Sequence, residues 1–474
     1  MAELRIIEEI VGHDCCVGCG MCVAAAPEHL EMYETPHGTY EARRTQLSLE
    51  GRAVGGSSVD APIDPNIGLD VCPFTDGPPN EDAIGAERFG DTEGVGHSPE
   101  IGYRLDLWAG TVRDEGQRLG SSSGGIITWI ASELLRSGAV DAIACVGPTP
   151  ETAPDTVFGY RLVRTPEELL DCRGSRYYPI SADAVIQELR GSGLKIAFIG
   201  LPCFIKGLHR LARVDPEVKD MVAFTIGLFC GHLKSKRYAE YLTRATGADE
   251  TKLATVDFRH KLAGRAASDY AFEATTIDGT TSQIRMREVF GGRWGYNLFM
   301  LGACNWCDDV MAETADVAVG DAWIPPYTDD HRGTSMVVVR HPAIRAVLAG
   351  GVEGGAVDLE ALTPEQVIAA QAGGLRQRRG GLSYRLGAAK AAGKWHPTKR
   401  VSANIKSVGR VFGIVQRLRE RSRQTSHAAM AEQRGTPGLA IFERRMRRWI
   451  LALDGMYELR SRMGRLQRRL RGRG

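Results

Sequence analysis

Apolar residues in the middle of the chain follow two alternating periods. Helix-like periods cover residues 124–136, 182–189 and 204–213, and short apolar runs typical of buried strands cover residues 140–146, 194–200 and 222–230. Strands and helices that alternate in this way predict an α/β layer architecture with a partly parallel sheet.

Two further segments have their own patterns. Residues 270–286 alternate between polar and apolar positions around Asp278-Gly279, which predicts an inserted β-hairpin. In the tail, apolar residues recur at steps of three or four, which predicts one helical stripe with arginine around it. The stripe consists of Phe442, Met446, Trp449, Leu453, Met456, Leu459, Met463, Leu466 and Leu470. Gly455 and Gly464 weaken the prediction of an unbroken helix.

Loop-like composition divides the chain. Residues 51–65 are rich in Gly, Ser and Pro, and residues 75–99 are rich in Gly, Pro, Asp and Glu. We therefore expect an α/β body preceded by a small module and followed by a basic helical tail. The expected divisions are a module at 1–75, a linker at 76–102, the body at 103–345, a mixed connecting region at 346–400 and the tail at 401–474.

Composition is that of a globular protein, with 43% hydrophobic and 25% charged residues among 474, which excludes disorder as the main state. The net charge of +1 hides an asymmetry: residues 401–474 contain 18 Lys or Arg and 5 Asp or Glu, a net +13, which leaves residues 1–400 with 41 and 53, a net −12. A helix packed on its own domain or on a twin chain is the favoured interpretation of the basic tail. A membrane-surface helix is the second, and nucleic-acid binding is not expected.

The first ten residues lack the pattern of a secretory signal, and no apolar run is long enough for a transmembrane helix. We therefore expect a cytoplasmic protein, with attachment to the inner face of the membrane left open. In a reducing compartment, the 11 cysteines are better interpreted as metal ligands and free thiols than as a disulfide framework.

Three closely spaced cysteines form the most specific motif. Cys16, Cys19 and Cys22 lie on a glycine-containing turn, at the spacing by which ferredoxins hold an iron-sulfur cluster. The bacterial ferredoxin motif continues with a fourth cysteine before a proline, where this chain has Ala26. Cys72, which also precedes a proline, is the available substitute. The sequence predicts a ferredoxin-like module with one 4Fe-4S cluster on these four cysteines.

Two alternatives remain for this motif. Four thiolates could hold a zinc ion, although zinc sites usually pair two Cys-x-x-Cys turns. Cys15, Cys19 and Cys22 also have the spacing of radical-SAM enzymes, but no run of repeated strand-helix units follows them. Separate replacement of Cys15 and Cys16 by serine would distinguish these assignments.

A second set of cysteines is dispersed: Cys203, Cys230, Cys304 and Cys307. The first two follow predicted strands, and ligands of open α/β sheets lie at the carboxyl ends of strands. Spacing alone supports a second cluster and ordinary buried thiols equally. We interpret Cys145 and Cys172 as such buried thiols.

Two turns have the composition of an anion or cofactor site. A Ser/Gly loop precedes an apolar helix, where backbone N–H groups and the helix dipole favour an anion such as a pyrophosphate, although such loops are also ordinary helix caps. This loop contains Ser121, Ser122, Ser123, Gly124 and Gly125. The second turn combines a cation with an aromatic ring and consists of Gly174, Ser175, Arg176 and Tyr177.

Arg259 and Lys261 lie two residues apart on a predicted strand, and therefore on one side of it, as would suit an anionic cofactor or substrate. A solvated strand face is the simpler interpretation without further context. His232, His260 and Asp321 are candidate proton donors by residue type alone, so no catalytic residue is assigned.

Taken together and in order, these motifs resemble the coenzyme F420 hydrogenase/dehydrogenase beta-subunit family over residues 10–345. The motifs are the cysteine module, the Ser-Ser-Gly-Gly helix start, GSRY at 174–177, GLPC at 200–203, CGH at 230–232, FRHK at 258–261, the Cys-x-x-Cys pair and ADVAVGDAW at 315–323. The family includes the beta subunit of the hydrogenase that reduces this coenzyme and ferredoxin-dependent reductases of the chlorophyll pathway.

The resemblance implies FAD in the α/β body near the Ser/Gly loop. It also implies that Cys203, Cys230, Cys304 and Cys307 hold a second 4Fe-4S cluster. Arg176 replaces the lysine frequent in the family, which keeps the charge and changes the hydrogen-bond geometry. Cysteine pairs of the nickel-iron type are absent from the sequence, so hydrogen activation by this chain alone is not expected.

Clusters pass single electrons and a flavin exchanges pairs, so their combination predicts an oxidoreductase. We expect it to connect a ferredoxin-like donor, or coenzyme F420 as substrate, with a small-molecule acceptor. The alternative is a non-catalytic electron-transfer or assembly subunit, docked by its tail to a membrane surface or a partner complex, including one for polysaccharide biosynthesis. A homo-oligomer is also left open.

Overall fold

The N-terminal segment folds as short helices and a hairpin. A π-helical turn covers Ile7–Val11, helix α1 covers Met21–Ala25, and strands β1 (Leu30–Glu34) and β2 (Tyr40–Arg44) pair antiparallel. The computed structural model describes residues 4–46, 64–149 and 156–471, with side chains described as far as residue 465. The predicted loop at 51–65 therefore lies almost wholly outside the described residues.

Residues 76–102, expected to form a linker, contain regular structure. Helix α2 (Glu81–Phe89) begins at Asn80, whose side chain accepts a hydrogen bond from the Ala83 N–H, and strands β3 (Gly96–Ser98) and β4 (Gly102–Arg104) pair antiparallel. Ile84 and Phe89 of α2 are buried. The segment packs on its neighbours because α2 has an apolar face. The polar composition of the segment did not indicate this face.

An eight-stranded mixed sheet forms the centre of the protein. Its strands are β5 (Asp106–Val112), β6 (Ala142–Pro148), β7 (Phe158–Val163), β8 (Ile196–Gly200), β9 (Val222–Leu228), β13 (Val317–Asp321), β14 (Ser335–Val339) and β15 (Val357–Ala361). Their spatial order is β15-β5-β14-β13-β9-β8-β6-β7. Strands β6, β8, β9 and β13 run parallel, and the strands outside them are antiparallel to their neighbours. The predicted α/β architecture with a partly parallel sheet is confirmed.

Helices connect the strands. They are α3 (Glu115–Gly120), α4 (Ile126–Arg136), α5 (Pro166–Asp171), α6 (Asp183–Leu189), α7 (Pro202–Val214), α8 (Pro216–Met221), α9 (Lys236–Ala245) and α10 (Pro342–Glu353). The central strands are short apolar runs, because helices cover both faces of a parallel sheet and bury the side chains on each face. The carboxyl ends of β8 and β9 lead directly into the segments that carry Cys203 and Cys230.

The predicted hairpin forms and belongs to a separate three-stranded sheet. Strands β11 (Ala271–Thr276) and β12 (Thr281–Arg285) pair antiparallel around Asp278, whose carboxylate accepts a hydrogen bond from the Thr280 N–H at 3.0 Å. Strand β10 (Leu253–His260) pairs with β11 as the third strand. This sheet brings Arg259 beside the central sheet.

The N-terminal segment packs on the body instead of standing apart. The Ala182 N–H donates to the Cys19 carbonyl at 3.1 Å, and the Lys236 N–H donates to the Gly38 carbonyl at 2.7 Å. On α7, a Cβ at Gly207 would lie 2.9 Å from the Met21 side chain, so only glycine allows this close approach. The N-terminal segment and the body share one hydrophobic cluster.

The C-terminal third is helical after β15. Its helices are α11 (Pro364–Ala370), α12 (Ala372–Arg378), α13 (Gly380–Ala391), α14 (Arg410–Gln433) and α15 (Ala440–Arg471). Helix α15 continues through Gly455 and Gly464, so the predicted stripe lies on one unbroken helix. Its first half packs into a hydrophobic cluster through Phe442, Met446 and Leu453, whereas Leu459 and Met463 are exposed.

Within residues 4–46, 64–149 and 156–471, no helix is both long and apolar enough to cross a membrane.

Candidate functional site

The first group of cysteines lies on a turn that two glycines make possible. Gly18 and Gly20 have positive φ angles of 72° and 80°, which place them in the left-handed region that favours glycine. A Cβ at Gly18 would lie 2.8 Å from the Tyr40 carbonyl oxygen, so the turn also lies tightly against β2. The chain can therefore present successive cysteines to the same side.

Cys16, Cys19, Cys22 and Cys72 line a single cavity. The rest of the wall is mainly apolar and includes Ile6, Ile10, Val17, Met32, Ala42 and Phe74. Burial raises the pKa of the Cys16 thiol to about 12 and raises the pKa values of the other three as well. Four buried thiols on an apolar wall suit an iron-sulfur cluster, whose inorganic core fills a volume.

Arg210 of α7 holds the loop that carries Cys72. Its guanidinium donates to the carbonyl of Cys72 and, at 3.0 Å each, to the carbonyls of Pro78 and Pro79. The Thr75 hydroxyl also donates to the Cys72 carbonyl at 2.8 Å. The sequence does not reveal this role of Arg210, because a basic side chain in an amphipathic helix gives no sign that it will reach a distant loop.

Cys15 is fully buried, yet it is not part of the cavity wall that Cys16 helps to form. Among its neighbours is Lys399, whose charge lowers the Cys15 pKa while burial raises it well above the usual value. The geometry favours Cys16 over Cys15 as the companion of Cys19 and Cys22.

The second group of cysteines surrounds one buried arginine. Burial lowers the pKa of the Arg378 guanidinium, but four neighbouring cysteines raise it above its usual value, in the order Cys307, Cys230, Cys304 and Cys203. Arg378 is 2% exposed and donates to the Gly231 carbonyl at 2.6 Å. The fold thus brings together all four residues of the dispersed set.

These four cysteines come from three places in the fold. Cys203 is in the first turn of α7, and Cys230 follows β9. Cys304 lies on a 3-10 turn at Gly302–Trp306, and Cys307 directly follows that turn. The Leu233 N–H donates to the Cys304 sulfur at 3.2 Å. The carboxyl ends of neighbouring parallel strands therefore contribute to this group, as predicted from the sheet.

The two groups approach each other between α1 and α7. Burial raises the pKa of Cys203. The other cysteines of the second group add to this shift, and so does Cys19 of the first group. Burial raises the pKa of Tyr160, and Cys203 of the second group and Cys19 of the first group both add to this shift. Within the described residues, no three His, Cys, Asp or Glu side chains converge closely enough to hold a single metal ion.

The predicted cations Arg259 and Lys261 line a small cleft. Its wall consists of Ser122, Arg259, Lys261, Leu262, Ala266, Ala267, Asp269, Tyr270, His331 and Gly333. Arg259 donates to the Asp321 carboxylate at 2.6 Å and lies over the rings of Tyr270 and Trp323 at 5.1 and 5.2 Å. The buried Nε of Arg259 has no hydrogen-bond partner, so one donor of this cation remains available.

Lys261 binds three backbone carbonyls around the same cleft. Its ammonium donates to the carbonyls of Arg118 at 2.6 Å, Ser123 at 3.1 Å and Arg332 at 2.5 Å. Burial, followed by the charge of Arg259, lowers the pKa of Lys261 to about 8. Lys261 therefore joins the Ser/Gly loop to the loop before β14 and keeps a positive charge there below that pH.

Most of the Ser/Gly loop is engaged internally. Ser121 donates to the Gln117 carbonyl at 2.7 Å and Ser123 to the Thr334 carbonyl at 2.8 Å, whereas Ser122 lines the cleft. A Cβ at Gly124 would lie 2.3 Å from the Gly110 carbonyl oxygen, so this position needs glycine. Gly125, with φ of 85°, precedes α4. Of the five predicted loop residues, Ser122 is the one on the cleft wall.

The second predicted turn is only partly at the cleft. The Ser175 hydroxyl donates to the Ser122 hydroxyl at 3.0 Å. Gly174, at the start of the turn, has a φ of 99°. The Arg176 guanidinium lies over the Phe158 ring, 4.5 Å from its centroid. The Tyr177 ring contacts the Trp294 ring at a centroid distance of 4.8 Å. Ser175 therefore reaches the cleft through Ser122, and Arg176 is directed to another neighbour.

The candidate proton donors have different environments. His232 stacks on Trp294 at a centroid distance of 4.2 Å, and burial lowers its pKa well below the usual value. His260 lies 3.4 Å from the Glu273 carboxylate, and Asp321 accepts from Arg259. None of the three is part of the described cleft wall, so the assignment of a proton donor stays open.

The matching family models define the class of this protein. The model for the coenzyme F420 hydrogenase/dehydrogenase beta subunit N-terminus matches residues 107–187, and the model for the corresponding C-terminus matches residues 193–365. Together they cover more than half of the chain, which belongs to this family.

Proteins similar to this chain include a dehydrogenase subunit and two reductases. The chain is 20% identical over 322 residues to a subunit of the F(420)H(2) dehydrogenase of Methanosarcina mazei, covering 67% of this chain and 79% of that protein. It is 26% identical to the coenzyme F420-dependent sulfite reductase of Methanocaldococcus jannaschii, over 46% of this chain and 32% of that one. It is 23% identical to the chloroplastic 7-hydroxymethyl chlorophyll a reductase of Oryza sativa subsp. japonica, over 46% and 42%.

A chain of the F420-reducing [NiFe] hydrogenase complex of Methanosarcina barkeri is similar with a TM-score of 0.47 and 19% identity, over 62% of this chain and 95% of that chain.

Proposed function

We propose that this chain is an iron-sulfur flavoprotein oxidoreductase with two 4Fe-4S clusters and FAD. It passes electrons between a ferredoxin-like donor or coenzyme F420 and a small-molecule substrate. The observation that carries this proposal is the gathering of eight cysteines, from several distant parts of the sequence, into two adjacent groups. Relatives named as part of a dehydrogenase, as a sulfite reductase and as a chlorophyll reductase support the redox class.

The first cluster is held by Cys16, Cys19, Cys22 and Cys72. The apolar wall of their cavity keeps water from the thiolates, and the carbonyl contacts of Arg210 and Thr75 position the loop of the fourth ligand. The two left-handed glycines orient the other three ligands. This support is independent of the family resemblance, because it rests on this chain's own side chains.

The second cluster is held by Cys203, Cys230, Cys304 and Cys307. A group of buried thiolates brings negative charge into a low-dielectric interior, where it needs a compensating cation. Arg378 provides that charge within the group, and its donation to the Gly231 carbonyl keeps it in place. In a purely apolar core, a buried arginine would have no negative charge to compensate and would be costly.

FAD is proposed for the cleft lined by Ser122, Arg259, Lys261 and Tyr270. When bound, a flavin exchanges two electrons where clusters exchange one, which joins donors and acceptors of both kinds. The charge of Lys261, whose three donors already bind carbonyls, would attract an anionic group of the cofactor. The free donor of Arg259 would form a hydrogen bond to such a group, and Ser122 would add another. The aromatic residue Tyr270 supplies an apolar surface beside these cations.

Anaerobic purification with quantification of iron, sulfide and flavin tests the proposal. We expect about eight iron and about eight sulfide atoms per chain, with one FAD. Cys16→Ser is expected to remove the first cluster and so lower iron by about half, and Cys15→Ser serves as the matched control that keeps it. A colourless protein after reconstitution with iron, sulfide and FAD would refute the proposal.

A docking role for the tail is favoured by the exposed end of α15. Leu459 and Met463 are each 44% exposed and lie among arginines on a helix that leaves the body. An apolar stripe with flanking cations suits an anionic membrane surface or an acidic partner protein. Cosedimentation with anionic vesicles tests this role: removal of residues 459–474 is expected to abolish binding, and equal binding without them would contradict it.

A further inference from the structure

Two of the three cysteines outside both proposed ligand sets meet each other. Cys145 lies on β6, and Cys172 follows the last residue of α5. Both are free thiols, and Cys172 packs against the hydrophobic cluster that contains Cys145. The third cysteine, Cys15, is buried next to the first ligand set.

The approach of Cys172 to β6 is direct. Gly147 lies two residues after Cys145 and therefore on the same face of the strand. A Cβ at Gly147 would lie 2.6 Å from the Cys172 sulfur, so the missing side chain leaves the space that this sulfur occupies. The two thiols are close enough to shift each other's pKa in opposite directions.

The two thiols are chemically unequal. Cys145 is 3% exposed, whereas Cys172 is partly exposed. The neighbouring Cys145 thiol lowers the pKa of Cys172, as do the charges of Arg161 and Arg176, and Cys172 in turn raises the pKa of Cys145. A partly exposed cysteine with a lowered pKa is the better nucleophile, and a buried neighbour suits the second step of an exchange.

We propose that Cys145 and Cys172 form a reversible disulfide by exchange with a small disulfide such as oxidised glutathione. The Cys172 thiolate attacks one sulfur of that disulfide, and the other half leaves as a thiolate. The Cys145 thiol then loses its proton, and its sulfur attacks Cys172 and releases the second small thiol. The protein pair gives up two electrons, and the small disulfide is reduced to two thiols.

The position of the pair gives the disulfide a structural consequence. Cys172 lies two residues before the turn that begins at Gly174 and contains Ser175, whose hydroxyl donates to Ser122 on the cleft wall at 3.0 Å. A covalent bond to β6 would hold the start of this turn against the central sheet. The pair is thus a redox-sensitive modification site, and the proposal does not depend on cofactors in the chain.

Peptide mapping of the full chain tests the proposal. The anaerobically purified protein is incubated with excess oxidised glutathione, quenched in acid, denatured, alkylated and digested with trypsin. Cleavage at Arg161 and Arg164 puts the two cysteines on different peptides. We expect one cross-linked pair that has lost the mass of two hydrogen atoms and that dithiothreitol separates. Cys15 is expected to be alkylated throughout as an internal control.

Single replacements distinguish the steps. Cys145→Ser is expected to leave glutathione attached to Cys172, and Cys172→Ser is expected to leave Cys145 unmodified. Wild-type protein in which both cysteines are alkylated, in which glutathione stays on Cys172, or in which either cysteine is linked to another partner would overturn the proposal. Because the wild-type map answers the question directly, the result does not depend on the folding of a variant.

Discussion

Buried positive charge is the most informative feature at the scale of single residues. Arg378 is surrounded by the second cysteine group, and Arg210 binds the carbonyl of a first-group cysteine. A buried charge is costly unless partners surround it, so such residues mark places where the fold holds negative charge or fixed carbonyls. Both arginines therefore belong to the proposed cluster sites as positioning residues.

Replacement of Arg378 is expected to affect the second cluster selectively. Arg378→Met removes the compensating charge while keeping an apolar side chain, so iron should fall by about half, with FAD and the first cluster retained. Arg376→Met, at an exposed position of the same helix, is the matched control and should keep all the iron. Iron and sulfide assays measure the effect, and unchanged iron in Arg378→Met would contradict this role.

Lys261 predicts a pH dependence of flavin binding. Its folded-state pKa of about 8 lies below the usual lysine value, because burial and Arg259 oppose its charge. Below that pH the ammonium is charged and attracts an anionic cofactor, and above it the charge is lost. The dissociation constant for FAD, measured by equilibrium dialysis, should therefore rise as the pH increases through about 8.

The control for this prediction is Lys261→Arg, since arginine stays charged throughout the range. The variant should bind FAD with a flatter pH profile between about pH 7 and about pH 9. If the wild-type protein showed the same flat profile, Lys261 would not be the titrating group.

At the scale of elements, helix α15 combines two environments along one stripe. Phe442 and Met446 are fully buried against residues such as Tyr241 and Phe299, and Leu459 lies beyond that contact. The same periodicity therefore describes a core helix at one end and a free amphipathic surface at the other. Only the first half of α15 packs on its own domain, as the favoured interpretation of the tail predicted.

Substitutions along α15 should reveal this division. Phe442→Ala creates a cavity in the core and should lower the free energy of unfolding by about 3–5 kcal/mol. Met463→Ala, on the exposed half of the stripe, should change it by less than about 0.5 kcal/mol. Chemical denaturation followed by far-UV circular dichroism measures both, and equal losses would argue against the observed division of the helix.

At the scale of the whole molecule, the C-terminal third binds the other parts together. His13 of the N-terminal segment stacks on Trp395 at a centroid distance of 4.5 Å. Thr398 donates to Asp76 at 2.8 Å, and Arg400 donates to Glu313 at 2.7 Å. These contacts join the N-terminal segment, the connector after it and the body through one short stretch of chain.

Truncations should distinguish this structural role from a docking role. Deletion of residues 401–474 removes buried side chains of α14 and α15, so we expect aggregation or a lower melting temperature. Deletion of residues 459–474 alone should leave the melting temperature close to that of the full chain. Thermal unfolding measures both, and a stable protein without residues 401–474 would contradict the contribution of the tail to the core.

The amino-acid sequence by itself determined the local patterns. Alternating periods predicted the strands and helices of the α/β body, because burial on a sheet or a helix imposes its period on neighbouring residues. The cysteine turn and the hairpin around Asp278 were also readable, since each depends on a few adjacent residues. The family resemblance rests on motifs of the same local kind.

Only the tertiary structure decided which distant residues meet. It joined Cys72 to the first cysteine turn, surrounded Arg378 with the second group and brought Cys172 against β6. It also packed the N-terminal segment and half of the tail into shared cores. Such contacts depend on how whole elements pack in space, and a single sequence carries no local period or spacing for a contact between residues that are far apart along the chain.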